Sequence, residues 1–165
     1  MRRIESGKIL SNHKLAEGVY RMDISLPEIS SEVQGPGQFI SLTVGEEWQM
    51  PLRRPMSITS VENESVSIIY KIFGKGTEWL KDRCEGDVIE AIGPLGNRFS
   101  LDNINIKETI LIGGGVGVAP ILYLHEQLSK DVLDHLLIVG AVTAAEHFLE
   151  HTPNAGIYLT TDDDT

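Results

Sequence analysis

Two short stretches of this chain carry residue types suited to holding phosphate. Leu52–Ser57 reads Leu-Arg-Arg-Pro-Met-Ser, and Gly74–Thr77 reads Gly-Lys-Gly-Thr. An arginine fork matches phosphate oxygens two at a time, and glycine lets backbone N–H groups come close to an anion. Between the two lies Ser65–Phe73, which alternates as a strand does. On this reading they flank one phosphate-bearing ligand. A third candidate is Gly113-Gly114-Gly115-Val116-Gly117-Val118-Ala119-Pro120, set between an apolar strand and a helical pattern. There, backbone N–H groups and a helix start can face an anion. It matches neither common fingerprint, since Gly-x-Gly placed on Gly113 and Gly115 puts Val118 at the third glycine, and no Gly-Lys-Ser/Thr follows. The alternative is a tight turn needing glycines for steric reasons, with nucleotide binding the favoured reading.

Other residues read more simply. His147 and His151, four apart, have the spacing of a metal pair but no third ligand nearby, so they read as partly exposed histidines at a helix end. Cys84, the only cysteine, reads as a small buried residue. It excludes an internal disulfide and any zinc or iron–sulfur site built on cysteines alone.

The 165 residues are 41% hydrophobic, which fits a globular protein. Net charge is −10, unevenly placed: residues 1–107 hold 13 Lys+Arg against 15 Asp+Glu, and residues 108–165 hold 1 against 9. An acidic second half argues against nucleic acid or an anionic membrane as partner. The longest uncharged run, Thr109–Leu124, is broken by glycines and Pro120 and is too short to span a membrane, so a cytoplasmic protein is expected.

To position these residues the chain needs two kinds of structure. From Lys8 to Phe99 it reads as strands and turns: Val19–Leu26, Gln38–Val44, Met56–Val61, Ser65–Phe73 and Asp87–Ile92 as strands, Glu28–Ser31 and Gly93–Asn97 as turns. Thr77–Arg83 reads as a short helix with Thr77 as its N-cap. Short strands with Gly/Pro turns at this spacing predict a small antiparallel barrel. The character changes near Asp102–Lys107. Thr109–Ile112, His135–Val142 and Ile157–Thr161 read as apolar strands. A helix from about Pro120 to Lys130 puts Ile121, Leu124, Leu128 and Val132 on one face, and Thr143 with Glu146 forms a capping box for a helix over about Ala144–Glu150. The β-α-β-α-β order predicts a parallel sheet.

Arg54-Pro55-Met56-Ser57, Gly74-Lys75-Gly76-Thr77, Gly93-Pro94-Leu95-Gly96-Asn97 and Gly113–Pro120 follow one another in the order found in the ferredoxin–NADP reductase superfamily. Their wording most resembles the electron transfer subunits of two-subunit, NAD-linked (type B) dihydroorotate dehydrogenases, over nearly the whole chain. The resemblance implies an antiparallel six-stranded FAD-binding β-barrel over 1–102 and a partial, Rossmann-like parallel-sheet NAD-binding domain over 103–165. It implies that Arg54 contacts the FAD pyrophosphate, Pro55 and Met56 shape the flavin wall, and Ser57 reaches the isoalloxazine ring. Ile69, Tyr70 and Lys71 would line the cofactor, with only one of the Tyr70 and Lys71 side chains facing it, and Gly76 and Thr77 would hold its phosphates. Gly114, Gly115, Gly117, Val118, Ala119 and Pro120 would face the nicotinamide nucleotide. No catalytic acid or base and no metal site are implied.

The implied function is FAD-dependent electron transfer in pyrimidine biosynthesis, from a catalytic dihydroorotate dehydrogenase subunit carrying FMN to NAD⁺, within a heterotetramer. Service to another partner, a hydrogenase or a sulfide-linked dehydrogenase, is the alternative within the superfamily, and a non-catalytic flavin-binding module is the alternative outside it. The sequence departs from the family's pattern in three places. Arg98 stands where a small residue is usual. Val142 stands where arginine is usual, which favours NAD over NADP. The four cysteines of the family's [2Fe–2S] segment are missing, and the nucleotide domain stops after three strands, as in a C-terminally truncated chain.

Overall fold

A computed structural model describes residues 2–45, 50–101, 109–131 and 134–163. Trp48, Val132, Asp164 and the boundary between 102 and 103 lie outside these residues. The first half is a closed barrel of six strands in the order β1-β2-β5-β4-β3-β6, every pair antiparallel. The strands are β1 (Arg3–Ala16), β2 (Val19–Ser25), β3 (Phe39–Leu42), β4 (Arg54–Glu62), β5 (Ser65–Lys71) and β6 (Val88–Leu95). Two short helices interrupt them, α1 (Pro27–Glu32) and α2 (Lys75–Lys81).

Closure depends on β1, which the sequence reading did not delimit. Its first half pairs with β6, from Arg3 opposite Gly93 to Lys8 opposite Val88, and its second half pairs with β2. Few of its side chains are fully buried and many are charged, so its apolar alternation is faint. Strand alternation fills the interior. On β5, Val66, Ile68 and Tyr70 point inward and are at most 1% exposed, joined by Met22, Ile24, Ile40, Leu42, Ile58 and Leu80.

Several expected elements are corrected. Glu28–Ser31 lies in a helical turn, because the Glu5 carboxylate accepts the N–H groups of Glu28 and Ile29 and so caps α1. The strand before Asn97 runs through Gly93-Pro94 to Leu95 before turning. Cys84 is exposed, in the turn after α2 where its N–H donates to Asp87 Oδ2 at 3.0 Å.

The second half holds a parallel sheet, β7 (Thr109–Gly114), β8 (His135–Ala141) and β9 (Ile157–Thr161), in that order. Helix α3 (Val118–Lys130) covers one face of it. Its Val118, Ala119, Leu122, Leu124 and Leu128 pack with Leu111, Leu137 and Val139 of the sheet, and the barrel adds Val19 and Ile69 to the same cluster. The halves are therefore joined by an apolar seam rather than strung on a linker. No helix among the described residues is long and apolar enough to cross a membrane.

The helix expected over Ala144–Glu150 is instead a single 3₁₀ turn, Ala144–Glu146. Its would-be capping box fails because Glu146 is engaged elsewhere: its carboxylate meets Lys71 Nζ of the barrel at 2.6 Å. The Ala145 carbonyl, which would accept Leu149 N–H in a helix, accepts Glu17 N–H at 3.0 Å. Tertiary partners have outcompeted a marginal local signal. His147 and His151 consequently share no helix face. His147 Nε2 donates to Thr160 O at 3.0 Å, and His151 Nδ1 accepts Leu159 N–H at 3.1 Å.

Candidate functional site

The two phosphate-suited stretches come together at one cleft of about 400 Å³. Arg54, Pro55, Met56 and Ser57 of β4 border it on one side, with Ile69, Tyr70 and Lys71 of β5, and Phe73, Thr77 and Val116 complete the rim. Alternation separates their parts. The Met56 and Tyr70 side chains pack into the barrel core while also bordering the cleft. Pro55, Ser57, Ile69 and Lys71 occupy the intervening, outward positions. Of the adjacent Tyr70 and Lys71, only the lysine points outward.

Residue type alone does not distinguish Arg53 from Arg54, of which the resemblance singled out Arg54, and the structure separates them. The Arg53 guanidinium is ion-paired with Glu90 of β6 and also donates to Ser41 O at 3.4 Å. Arg54 Nη1 donates to Leu52 O at 2.6 Å, and among the described residues no carboxylate reaches this guanidinium. Nor does any described residue bordering the cleft carry a carboxylate. In a chain of net charge −10, that makes the cleft a local home for an anion.

Gly76 is buried directly beneath this fork: a Cβ placed on it would stand 2.7 Å from Arg54 Nε. Only glycine lets α2 approach so closely. Thr77 is not the N-cap of the helix, which starts two residues earlier behind Gly74. From the third helical position its Oγ1 accepts Phe73 N–H at 2.9 Å and Gly74 N–H at 3.2 Å, and donates to Gly74 O at 3.0 Å. The hydroxyl thus shapes the loop entering α2.

A second cleft opens at the C-terminal ends of β7 and β8, the place where open α/β sheets bind ligands. Of the expected glycines only Gly115 lines it; Gly114 and Gly117 are exposed beside it in the loop, and a Cβ on any of the three would meet nothing within 4 Å. Gly113 differs: its Cβ would stand 2.9 Å from Val118 Cα, so this glycine serves the turn into α3. Val118 and Ala119 are buried in the seam, and Pro120 sits in the first turn of α3. Among the residues expected to face a nucleotide, Gly115 and Val118 border this cleft, and the three glycines are the exposed ones. Ile69, Lys71 and Val116 border both clefts, which share a wall.

Sequence reasoning missed Phe73, Val116 and Glu146. Phe73 is 96% exposed at the first cleft, and a bulky apolar residue just before Gly74 was its only signal. Val116 was hidden among glycines. Glu146 was read as a helix cap, whereas its bond to Lys71 holds its carboxyl below the ordinary value of 4.5. Arg98 lies beside Gly35, away from both clefts.

Comparison with known proteins agrees with this architecture. The chain is 35% identical over 162 residues to the electron transfer subunit of dihydroorotate dehydrogenase B (NAD⁺) from Bacillus velezensis, covering 95% of this chain and 63% of that protein. It is 32% identical over 151 residues to the subunit of the same name from Fusobacterium nucleatum, covering 90% and 58%. Among solved structures, an NADH-dependent reduced ferredoxin–NADP oxidoreductase superposes with a TM-score of 0.77 at 27% identity, covering 94% of this chain and 55% of that one. The chain has a ferredoxin–NADP reductase-like fold and is similar in sequence to these electron transfer subunits. No family model matches it. The chain spans about three-fifths of the length of these curated relatives.

Proposed function

We propose that the cleft between β4, β5 and α2 binds FAD, and that the chain is the electron transfer subunit of an NAD-linked dihydroorotate dehydrogenase. The observation that carries the reading is Arg54: a guanidinium without a carboxylate partner among the described residues, seated on a buried glycine, at the mouth of a largely apolar slot. The residues fit the cofactor. Pro55 and Ile69 offer apolar surface for the ring, and Ser57 offers a hydroxyl beside it. Arg54, with the backbone at Gly76 and Thr77, offers donors for the pyrophosphate. The glycines Gly114, Gly115 and Gly117 would face NAD(H) at the second cleft. Val142, 54% exposed past the end of β8, supplies no cation for a 2′-phosphate, so NAD rather than NADP is the nucleotide of this reading.

A flavin held there would supply the redox chemistry between a nicotinamide nucleotide and a partner's redox centre. This chain's residues bind and orient, and no acid or base of its own is needed. Lys71 is committed to Glu146 across the seam and so keeps the two clefts in register. The partner is a catalytic subunit oxidising dihydroorotate to orotate on FMN, in a cytoplasmic heterotetramer. These residues do not fit a [2Fe–2S] cluster: the sequence has one cysteine, and no group of three or more His, Cys, Asp or Glu among the described residues could hold a metal.

The test is optical. The purified chain should take up added FAD and turn yellow, and anaerobic NADH should bleach it faster than NADPH. A protein that stays colourless with added FAD overturns the reading. Reconstitution with a dihydroorotate-oxidising subunit should restore dihydroorotate-dependent NAD⁺ reduction. Coupling only to a hydrogenase or a sulfide-linked dehydrogenase would replace that partner.

A further inference from the structure

Asn12, on β1, joins two parts of the first cleft without lining it. Its Nδ2 donates to Arg83 O at 2.8 Å and Leu80 O at 2.9 Å, with Lys81 O at 3.4 Å. Its Oδ1 accepts the Tyr70 hydroxyl at 2.9 Å. Carbonyl oxygens only accept, so the amide nitrogen must face them and the oxygen must face Tyr70. The carbonyls are those of the end of α2, where partners within a helix run out. Asn12 therefore ties α2 to β5 at the one tyrosine of the cleft border. Tyr70 is 1% exposed and stacks on Tyr20 with ring centroids 5.8 Å apart. Burial pushes its phenol well above the ordinary value, Asn12 opposing only in part, so it remains a neutral donor at working pH.

The seat of α2 matters at its other end, where Gly76 lies against the Arg54 fork and Thr77 borders the cleft. A helix of seven residues is about 10 Å long, too short to bend, so a shift at one end is felt at the other. Leu80, fully buried in the barrel, is the second anchor.

We propose that Asn12 is a positioning residue for the phosphate end of the flavin cleft. By pinning α2 to Tyr70 it holds Gly76 against Arg54, so that the fork meets the pyrophosphate. The proposal rests on the FAD reading and makes a narrower claim. The ring wall of Pro55, Ser57 and Ile69 is set by paired strands and does not depend on α2. Loss of Asn12 should therefore weaken FAD far more than riboflavin, which has the ring but no phosphate.

The experiment titrates FAD and riboflavin into the wild-type chain and into Asn12→Ala and Asn12→Asp. Asn12→Ala should weaken FAD at least about tenfold and leave riboflavin within about twofold. Asn12→Asp keeps an acceptor for Tyr70 but sets an anionic oxygen against the α2 carbonyls. It should lose FAD affinity above neutrality and regain it toward about pH 5, where a protonated acid can donate again. Wild type should show no such recovery, and this comparison decides the matter if Asn12→Ala does not fold. Unchanged FAD affinity in both variants, or equal weakening of FAD and riboflavin, would overturn the role of Asn12 alone. Wild type failing to take up FAD would remove the flavin reading and this proposal with it.

Discussion

Changing Gly76 to alanine should separate stability from binding, because the two effects have opposite signs. The new methyl would stand 2.7 Å from Arg54 Nε and 3.2 Å from both Cζ and Nη2. Comfortable contacts are about 3.5–4.0 Å, so the guanidinium must retreat by about 1 Å. A charged hydrogen bond near 2.8 Å moved that far ceases to be one, at a cost of about 1.5–3 kcal/mol. The dissociation constant for FAD should therefore rise about 10- to 150-fold. In the ligand-free protein the same change replaces a helical glycine, whose φ lies outside the left-handed region, by the best helix former. That is favourable by up to about 1 kcal/mol. The displaced group is the end of a flexible side chain rather than backbone, so little of this gain is forfeited.

Fluorescence-quenching titration with FAD reads the first effect, and thermal unfolding of the ligand-free chain reads the second. Affinity should fall while the melting temperature holds or rises. An affinity within about twofold of wild type would mean that Arg54 does not carry the phosphate contact. A fall in melting temperature parallel to the lost affinity would refute the geometry instead, since it would signal that α2 had left its seat.

The two arginines should behave differently despite adjoining in sequence. Arg54→Ala should weaken FAD by the same about 10- to 150-fold, and combining it with Gly76→Ala should add nothing further, because both remove one contact. Arg53→Ala, which breaks the pair with Glu90, should leave FAD affinity within about threefold and cost at most about 1 kcal/mol of stability, as half-exposed pairs do. A larger binding loss at Arg53 would reverse the assignment. Glu146→Gln should lower the melting temperature at neutral pH. The Lys71 bond depresses the folded-state carboxyl, so its stabilisation is complete above the ordinary value of 4.5 and lost as pH falls through the depressed one. The gap between wild type and variant should close below about pH 4.5, and a gap that persists in acid would refute the pairing. Leu137→Ala, at a fully buried sheet position, should cost about 2–5 kcal/mol in denaturant unfolding. A loss under about 1 kcal/mol would show that the seam is loosely packed.

Local rules made much of this molecule legible in the sequence. Alternation marked Ser65–Phe73 and Val19–Leu26, which hold β5 and β2, and the glycine run marked the approach to α3, because each is set by residues adjacent in the chain. What failed depended on distant partners. Thr143 and Glu146 satisfy a local capping rule, but the rule cannot know that Lys71, 75 residues earlier, offers Glu146 a better bond. Arg53 and Arg54 are alike in residue type, and only the family resemblance told them apart. Only the barrel brings Glu90 to one of them and Gly76 to the other. Asn12 carried no local signal at all, since its four partners lie 58 to 71 residues away.

The strand between the two phosphate-suited stretches accounts for how one short segment serves both clefts. With a period of two, β5 sends Val66, Ile68 and Tyr70 into the barrel and Ser67, Ile69 and Lys71 outward. Each outward residue then meets a different part of the molecule. Ser67 donates to Asp23 at 2.5 Å, within a group where burial would raise the Asp23 carboxyl but hydrogen bonds from Ser11, Ser67 and Arg21 lower it. Ile69 enters the seam with α3, and Lys71 reaches Glu146 beyond it. Ile69 and Lys71, with Val116, also border both clefts. A slip of one residue in β5 would put Tyr70 at the seam and bury Lys71 in the barrel, an unpaired charge in an apolar core. The pairing that keeps the barrel dry therefore also keeps the two clefts side by side.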